Sequence, residues 1–235
     1  MMTNDIQDDS TIVQLTDVIK AYSSGDAING VSFVIPRGQI IGLLGLNGSG
    51  KTTTMKMISG LVRPTYGTIR VGGKIPRQGR HHVAFLGDRY GFPSWMICRD
   101  VERMMETFYK DFNKEMFRHF ALELNFPSDR PLGHLSRGEL QKVKLAVTMS
   151  RKTDLYLLDE PLAGIDLIAR KHILTGLMKH WNRSSTVLVA THEIKDLEPY
   201  LNRGIFLKRG KMVADIDRDP NKSFSDRFIE LMEEN

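Results

Sequence analysis

Eight consecutive residues, Gly45-Leu46-Asn47-Gly48-Ser49-Gly50-Lys51-Thr52, fit the spacing G-x-x-x-x-G-K-[ST] of a chain that wraps around phosphate. Gly45, Gly48 and Gly50 let the backbone curl until several N–H groups and the N-terminus of the following helix face the anion. In that cradle, which includes Asn47, Ser49 and Thr53, Lys51 reaches the β and γ oxygens and Thr52 offers a hydroxyl to Mg²⁺. The chemistry implied is the binding of a nucleoside triphosphate. Guanine specificity is disfavoured, because it usually travels with Asn-Lys-x-Asp and both Asn-Lys pairs here continue differently, to Met116 and to Phe224.

A second constellation, Leu155-Tyr156-Leu157-Leu158-Asp159-Glu160, is an apolar run ending in adjacent carboxylates. At a strand tip beside a phosphate loop, Asp159 can hold Mg²⁺ through its waters, and Glu160 can orient or deprotonate an attacking water. Acidic pairs also end many strands as plain loop residues. Upstream, Ser136 and Glu139 in Leu135-Ser136-Arg137-Gly138-Glu139 have the S-x-x-E spacing of a helix capping box ahead of Leu140, Val143 and Val147.

The elements that position these residues can be read from periodicity. Short β-branched runs, Ile12 to Leu15, Val31 to Ile35 and Ile40 to Leu44, read as strands separated by Ser23-Ser24-Gly25 and Pro36-Arg37-Gly38 turns. The third is apolar on both faces, as the middle of a parallel sheet requires, and leads into the phosphate loop and a helix over Thr53 to Leu61. Val101, Met104, Met105, Phe108, Tyr109 and Phe112 predict one amphipathic helix with Asp100 as its N-cap. Phe117, Phe120, Ala121 and Leu124 predict another, and a third starts near Gly138. Leu155 to Leu158 and Thr186 to Ala190 then resume β-α-β alternation around a helix carrying Ile173, Leu174, Leu177, Met178 and Trp181, and a hairpin over Gly204 to Ile216 precedes a terminal helix.

Composition narrows the class. The 235 residues suffice for one large or two small domains; 41% hydrophobic and 26% charged residues suit a globular chain, and the single Cys98 excludes a disulfide-built secreted domain. A net charge of +5, spread along the chain, gives no argument for nucleic acid as a partner. The longest apolar stretch, Ile40 to Leu46, falls far short of the ~20 residues of a spanning helix. Polar residues Met1 to Ser10 carry no secretion signal, so a cytoplasmic protein with a frayed start is expected.

The order and separation of the phosphate loop, the Ser136 to Glu139 segment and the Asp159-Glu160 strand resemble the ATP-binding cassette (ABC) ATPases. The resemblance runs from about Val13 to Asp215 and implies an α/β fold: a P-loop NTPase (RecA-like), mostly parallel sheet core with an N-terminal antiparallel β flank. It also implies a single ATPase domain over 1–235 with an inserted helical subdomain over 88–150. In the family, an aromatic at the place of Tyr22 stacks on adenine, Ala163-Gly164-Ile165-Asp166 matches the D-loop, and His192 matches the histidine that contacts the γ-phosphate. Read alone, a residue like Tyr22 is more often a strand-edge packing residue and one like His192 a satisfied loop histidine; their registration with the other motifs reverses that reading. Two residues depart from the family pattern. Asp88 stands where Gln is usual, and its shorter, charged side chain is expected to reach Mg²⁺ through a bridging water; Arg137 replaces the first signature glycine.

The resemblance further implies ATP and Mg²⁺ as cofactors and two cassettes, identical or not, closing head to tail. Each site would combine Tyr22, the 45–53 loop, Asp159, Glu160 and His192 of one chain with Ser136 and Gly138 of the other. A separate integral membrane permease would be the partner, which places the chain peripherally on the cytoplasmic face of the membrane. The stretch Phe108 to Phe112, a compact helical block and no long C-terminal regulatory region look most like the ATPases of ABC-2-type exporters. A soluble ABC ATPase of protein or cluster assembly is the alternative. Of the 10 aromatics between 85 and 126, including Phe85, loop residues Tyr90, Phe92 and Trp95 are the expected interface anchors, and Phe108, Tyr109 and Phe112 are expected to pack inside.

Overall fold

The computed structural model of the chain describes residues 10–23, 25–87 and 91–233. Asp88 and Tyr90, expected at a metal site and an interface, and the start Met1 to Asp9 lie outside them. The first two predicted strands are the start and the end, respectively, of longer ones, β1 (Thr11–Tyr22) and β2 (Gly25–Pro36), which pair antiparallel. Next come β3 (Ile40–Leu44) and α1 (Lys51–Ile58), shorter than the predicted Thr53 to Leu61 helix at its end because Gly60 turns the chain at φ 77°. The strand β4 (Tyr66–Val71) has no counterpart in the periodicity reading, and it completes a separate antiparallel sheet in the order β2-β1-β4.

A short α2 (Pro76–Gly79) leads to β5 (Val83–Leu86). The later strands are β6 (Leu155–Asp159), β7 (Thr186–Thr191), β8 (Arg203–Lys208) and β9 (Lys211–Asp217). Six strands form the main sheet in the order β5-β6-β7-β3-β8-β9, parallel except for the β8–β9 hairpin. Every residue of β3 is buried, as its sequence requires. Ile41 and Leu43 join the core beneath α1 and the antiparallel sheet, whereas Ile40 and Leu44 join the core under the helices. Each such fully buried side chain contributes about 1.5–3 kcal/mol relative to exposure.

Between β5 and β6 stand α3 (Cys98–Phe108), α4 (Lys114–Glu123) and α5 (Arg137–Met149). Asp100 is not the N-cap of α3: that position is Ile97, whose N–H donates to the Asp100 carboxylate at 3.1 Å from one turn inside the helix. Nor does α3 continue to Phe112. Tyr109 is extended and lies over the Arg151 guanidinium, 4.1 Å from its ring centre, and Arg151 grips the Asp111 carboxylate at 2.8 Å and the Val83 carbonyl at 3.0 Å. This anchor to the core overrides the helical period. As a result Phe108 is 71% exposed, against expectation, while Phe112 packs on the core as expected. Phe92 also packs there, and Trp95 stays exposed.

Cys98 is buried at the start of α3, and burial, reinforced by the Asp129 charge, pushes its thiol up to about 11. Because the thiolate is the nucleophile, iodoacetamide at neutral pH is expected to leave the folded chain unmodified and to add one adduct after denaturation. Intact-mass spectrometry reads this directly, and rapid labelling of the native protein would contradict the buried placement. The remaining helices, α6 (Leu167–His180) and α7 (Phe224–Glu233), cover the same side of the sheet.

Candidate active site

The phosphate loop turns out of the C-terminal end of β3 and into α1, where open α/β sheets bind their ligands. Its shape depends on glycine at two places. A Cβ on Gly45 would stand 2.4 Å from the Leu207 carbonyl, and Gly50, at φ 106°, backs on Ala27 and Ile28. The Gly210 N–H donates to the Ser49 carbonyl at 3.1 Å, so the β8–β9 turn also braces the loop. Asn47 and Gly48 form the exposed tip, and Thr52 and Thr53 are half-buried in the first turn of α1. The Lys51 ammonium donates to the carbonyls of Gly45 (2.7 Å) and Leu46 (3.1 Å), which wraps the loop around a buried cation. Burial lowers the Lys51 pKa, and Glu160 and Asp159 oppose the shift.

Asp159 is buried at the end of β6, and Glu160 follows with φ 45°, a left-handed conformation that costs a residue with a Cβ on the order of 1–3 kcal/mol. The turn is held by the Glu160 N–H donating to the Ala190 carbonyl at 2.8 Å and by the Gln141 amide donating to the carbonyls of Glu160 (3.3 Å) and Pro161 (3.1 Å). It aims the carboxylate at Lys51, 3.8 Å away, at the Thr191 hydroxyl, which donates at 3.0 Å, and at His192 Nδ1, 2.7 Å away. Phosphate loop, acidic strand end and His192 therefore meet in one place. Gln141 and Thr191 were not among the expected residues; Thr191 could have been suspected from its place at a strand tip next to His192, whereas nothing local marks Gln141.

The donor set suits a metal-bound triphosphate: a buried ammonium and a helix N-terminus for the anion, with two carboxylates for a cation. In addition, Ser49 Oγ is buried and finds no hydrogen-bond partner among the described residues, the kind of orphan that a phosphate oxygen satisfies. Tyr22 is 45% exposed at the end of β1, with the Lys20 ammonium 4.9 Å from its ring centre.

The structure does not bring Ser136, Gly138 and Asp166 to this cluster. They line a separate open depression with Arg137, Glu139, Lys142, Gly164 and Ile165, and no residue of the phosphate loop lines it. The capping box is present: Ser136 Oγ accepts the Glu139 N–H at 3.2 Å, and Glu139 accepts the Ser136 N–H at 2.8 Å. Asp166 caps α6 by accepting the Ala169 N–H at 2.9 Å. A Cβ on Gly138 would come within 2.9 Å of the Gly164 carbonyl, so this glycine is required by packing within the chain itself.

Hydrogen bonds from the Ser136 backbone and hydroxyl hold the Glu139 carboxyl below its usual range. A lowered folded-state pKa gives stability that is present above the unfolded value and lost as pH falls through the folded one. Glu139→Ala is thus expected to lower the urea midpoint at neutral pH, with the gap from wild type closing on acidification. A gap independent of pH would exclude the carboxylate as its source.

The fold and the cluster define a P-loop nucleoside triphosphatase. The sequence profile described as "ABC transporter" matches residues 28–163, more than half of the chain, and the chain belongs to that family of ATP-binding, ATP-hydrolysing proteins. It is 30% identical over 212 residues to the SkfA peptide export ATP-binding protein SkfE of Bacillus subtilis (strain 168), covering 87% of this chain and 89% of that one. It is also 30% identical to the Nod factor export ATP-binding protein I of Burkholderia lata, covering 86% and 70%. A solved structure of the ATP-binding subunit of an ABC transporter superposes with a TM-score of 0.81 at 25% identity, covering 95% of this chain and all of that one.

Proposed function

We propose that the chain is the ATPase subunit of an ABC exporter and acts through ATP-dependent head-to-tail pairing with a second cassette. The observation that carries this is the division of the site. Glu160 and Lys51 are poised together, while the Ser136 to Gly138 surface faces outward elsewhere, so a complete site calls for two chains. Lys51 and the N-terminus of α1 hold the phosphates, the partner subunit's Ser136 and Gly138 cap the γ-phosphate, and Tyr22 stacks on the base. Thr52, Asp159 and, through water, Asp88 would hold Mg²⁺, which neutralises charge on the phosphates when bound.

Glu160 takes the proton of the attacking water, and His192 and Thr191 fix its orientation. The residues over 88–150 act as a subdomain inserted in a single ATPase unit. Among the described residues no helix is long and apolar enough to cross a membrane. On this reading a separate permease carries the transported molecule, with this chain on its cytoplasmic face, as the names of the export relatives suggest. The named export relatives favour this over a soluble assembly role. Purification of the tagged chain from detergent-solubilised membranes is expected to bring down an integral membrane protein in stoichiometric amount. Recovery of soluble partners alone would support the assembly role instead.

A further inference from the structure

We propose that His119, Glu123 and His180 form a binding site for one divalent ion of the Zn²⁺ class at the seam between α4 and α6, apart from the ATP site. His119 and Glu123 lie one turn apart on α4, and His180 is the last residue of α6. The two Nε2 atoms are 3.0 Å apart, and Glu123 Oε2 lies 3.4 Å from His119 Nε2 and 3.6 Å from His180 Nε2. An ion held at the usual ~2.0–2.2 Å by tetrahedral nitrogen and oxygen ligands separates them by about 3.3–3.6 Å, so the three atoms already outline one face of the coordination shell. Two imidazoles and a carboxylate are a Zn²⁺ donor set in place of the all-oxygen set that Mg²⁺ and Ca²⁺ prefer.

The surroundings favour a cation. Glu123 and His180 are the final residues of their helices, so the negative ends of two helix dipoles converge on the cluster. Gly176, one turn back on α6, makes room for the carboxylate: a Cβ there would stand 2.9 Å from Glu123 Cδ and Oε1. Phe120 packs edge-on against the His180 ring at 5.6 Å and limits its rotation. The His119 side chain is 48% exposed, which leaves a fourth position open to water. Such an ion would staple α4, which lies in the chain between β5 and β6, to α6, which lies between β6 and β7.

The test uses the full chain, stripped with chelator and kept free of nucleotide. Calorimetric titration with Zn²⁺ is expected to give one ion per chain, and Co²⁺ is expected to show the intense visible bands of a tetrahedral site. His119→Asn and His180→Asn should each weaken binding by more than the roughly 10–100-fold that follows loss of a group merely orienting a ligand. The substitutions His81→Asn and His82→Asn, at the other adjacent histidine pair, should leave it unchanged. Zn²⁺ should also raise the melting temperature of wild type and not of His119→Asn, whose side chain is exposed enough to be replaced without unfolding. Absence of saturable binding, or stoichiometric binding that survives both His119→Asn and His180→Asn, would overturn the assignment and leave a metal-free histidine–carboxylate contact.

Discussion

Glu160→Gln is expected to lower the steady-state rate of ATP hydrolysis by about 10²–10⁴-fold, the range that general-base catalysis supplies. The amide has the size and shape of the carboxylate and can still accept the Thr191 hydroxyl bond, so the left-handed turn and its backbone ties to Ala190 and Gln141 persist. What it lacks is the capacity to take a proton from water. It also removes a negative charge from the cluster in which a γ-phosphate would sit, so ATP is bound and retained. The variant should therefore accumulate as a nucleotide-dependent pair of chains, visible by size-exclusion chromatography with ATP and Mg²⁺, while phosphate release falls to background. Hydrolysis at the wild-type rate would remove Glu160 from the mechanism.

Lys51→Met should separate binding from stability. Charge-assisted hydrogen bonds are worth about 1.5–3 kcal/mol, so deleting the ammonium is expected to weaken ATP binding by roughly 10- to 150-fold, measured with a fluorescent nucleotide. Its effect on the fold is expected to depend on pH. Burial lowers the Lys51 pKa even against Glu160 and Asp159, which means that the folded environment disfavours the charge overall. A lysine with a lowered folded-state pKa contributes stability above its unfolded value and loses it as pH falls through the folded one. At neutral pH the charge is a cost relative to the neutral amine, whereas methionine also leaves the Gly45 and Leu46 carbonyls without their donor. The stability of Lys51→Met is expected to lack the gain that wild type shows on raising pH through the alkaline range, read from urea midpoints at several pH values. A gain of wild-type size in the variant would remove Lys51 as its source.

The parts of this molecule written in local pattern could be read before folding. The all-apolar run of β3 dictated a strand buried on both faces, and the loop after it could only be a glycine-rich turn. The β4 segment, with Tyr66, Gly67, Thr68 and Arg70 exposed, buries only Ile69 and Val71 and carries too little periodicity to announce itself. The end of α3 depends on Arg151, 40 residues from its Asp111 partner, and no window around Phe108 contains that information. At the site, the identities of Lys51, Asp159, Glu160 and His192 were legible from motif and order. The left-handed turn at Glu160 was not, because its stabilising partners come from β7 and α5. His119 and His180 meet for the same reason of topology, 61 residues apart.

The order of strands in the main sheet also governs how the chain can be made. Ile40 pairs with Val187, and Gly42 pairs with both Val189 and Gly204, so β3 finds neither neighbour until about 150 further residues have left the ribosome. At roughly 5–20 residues per second that interval is about 7–30 s. Through it the β3 run Ile40-Ile41-Gly42-Leu43-Leu44 has no sheet to enter, and the phosphate loop has no brace from Gly210. Through that interval the apolar strand that leads into the phosphate loop is open to aggregation and to chaperones. A ribosome-stalled fragment ending before β7 would carry the complete nucleotide-binding motif without the means to fold it.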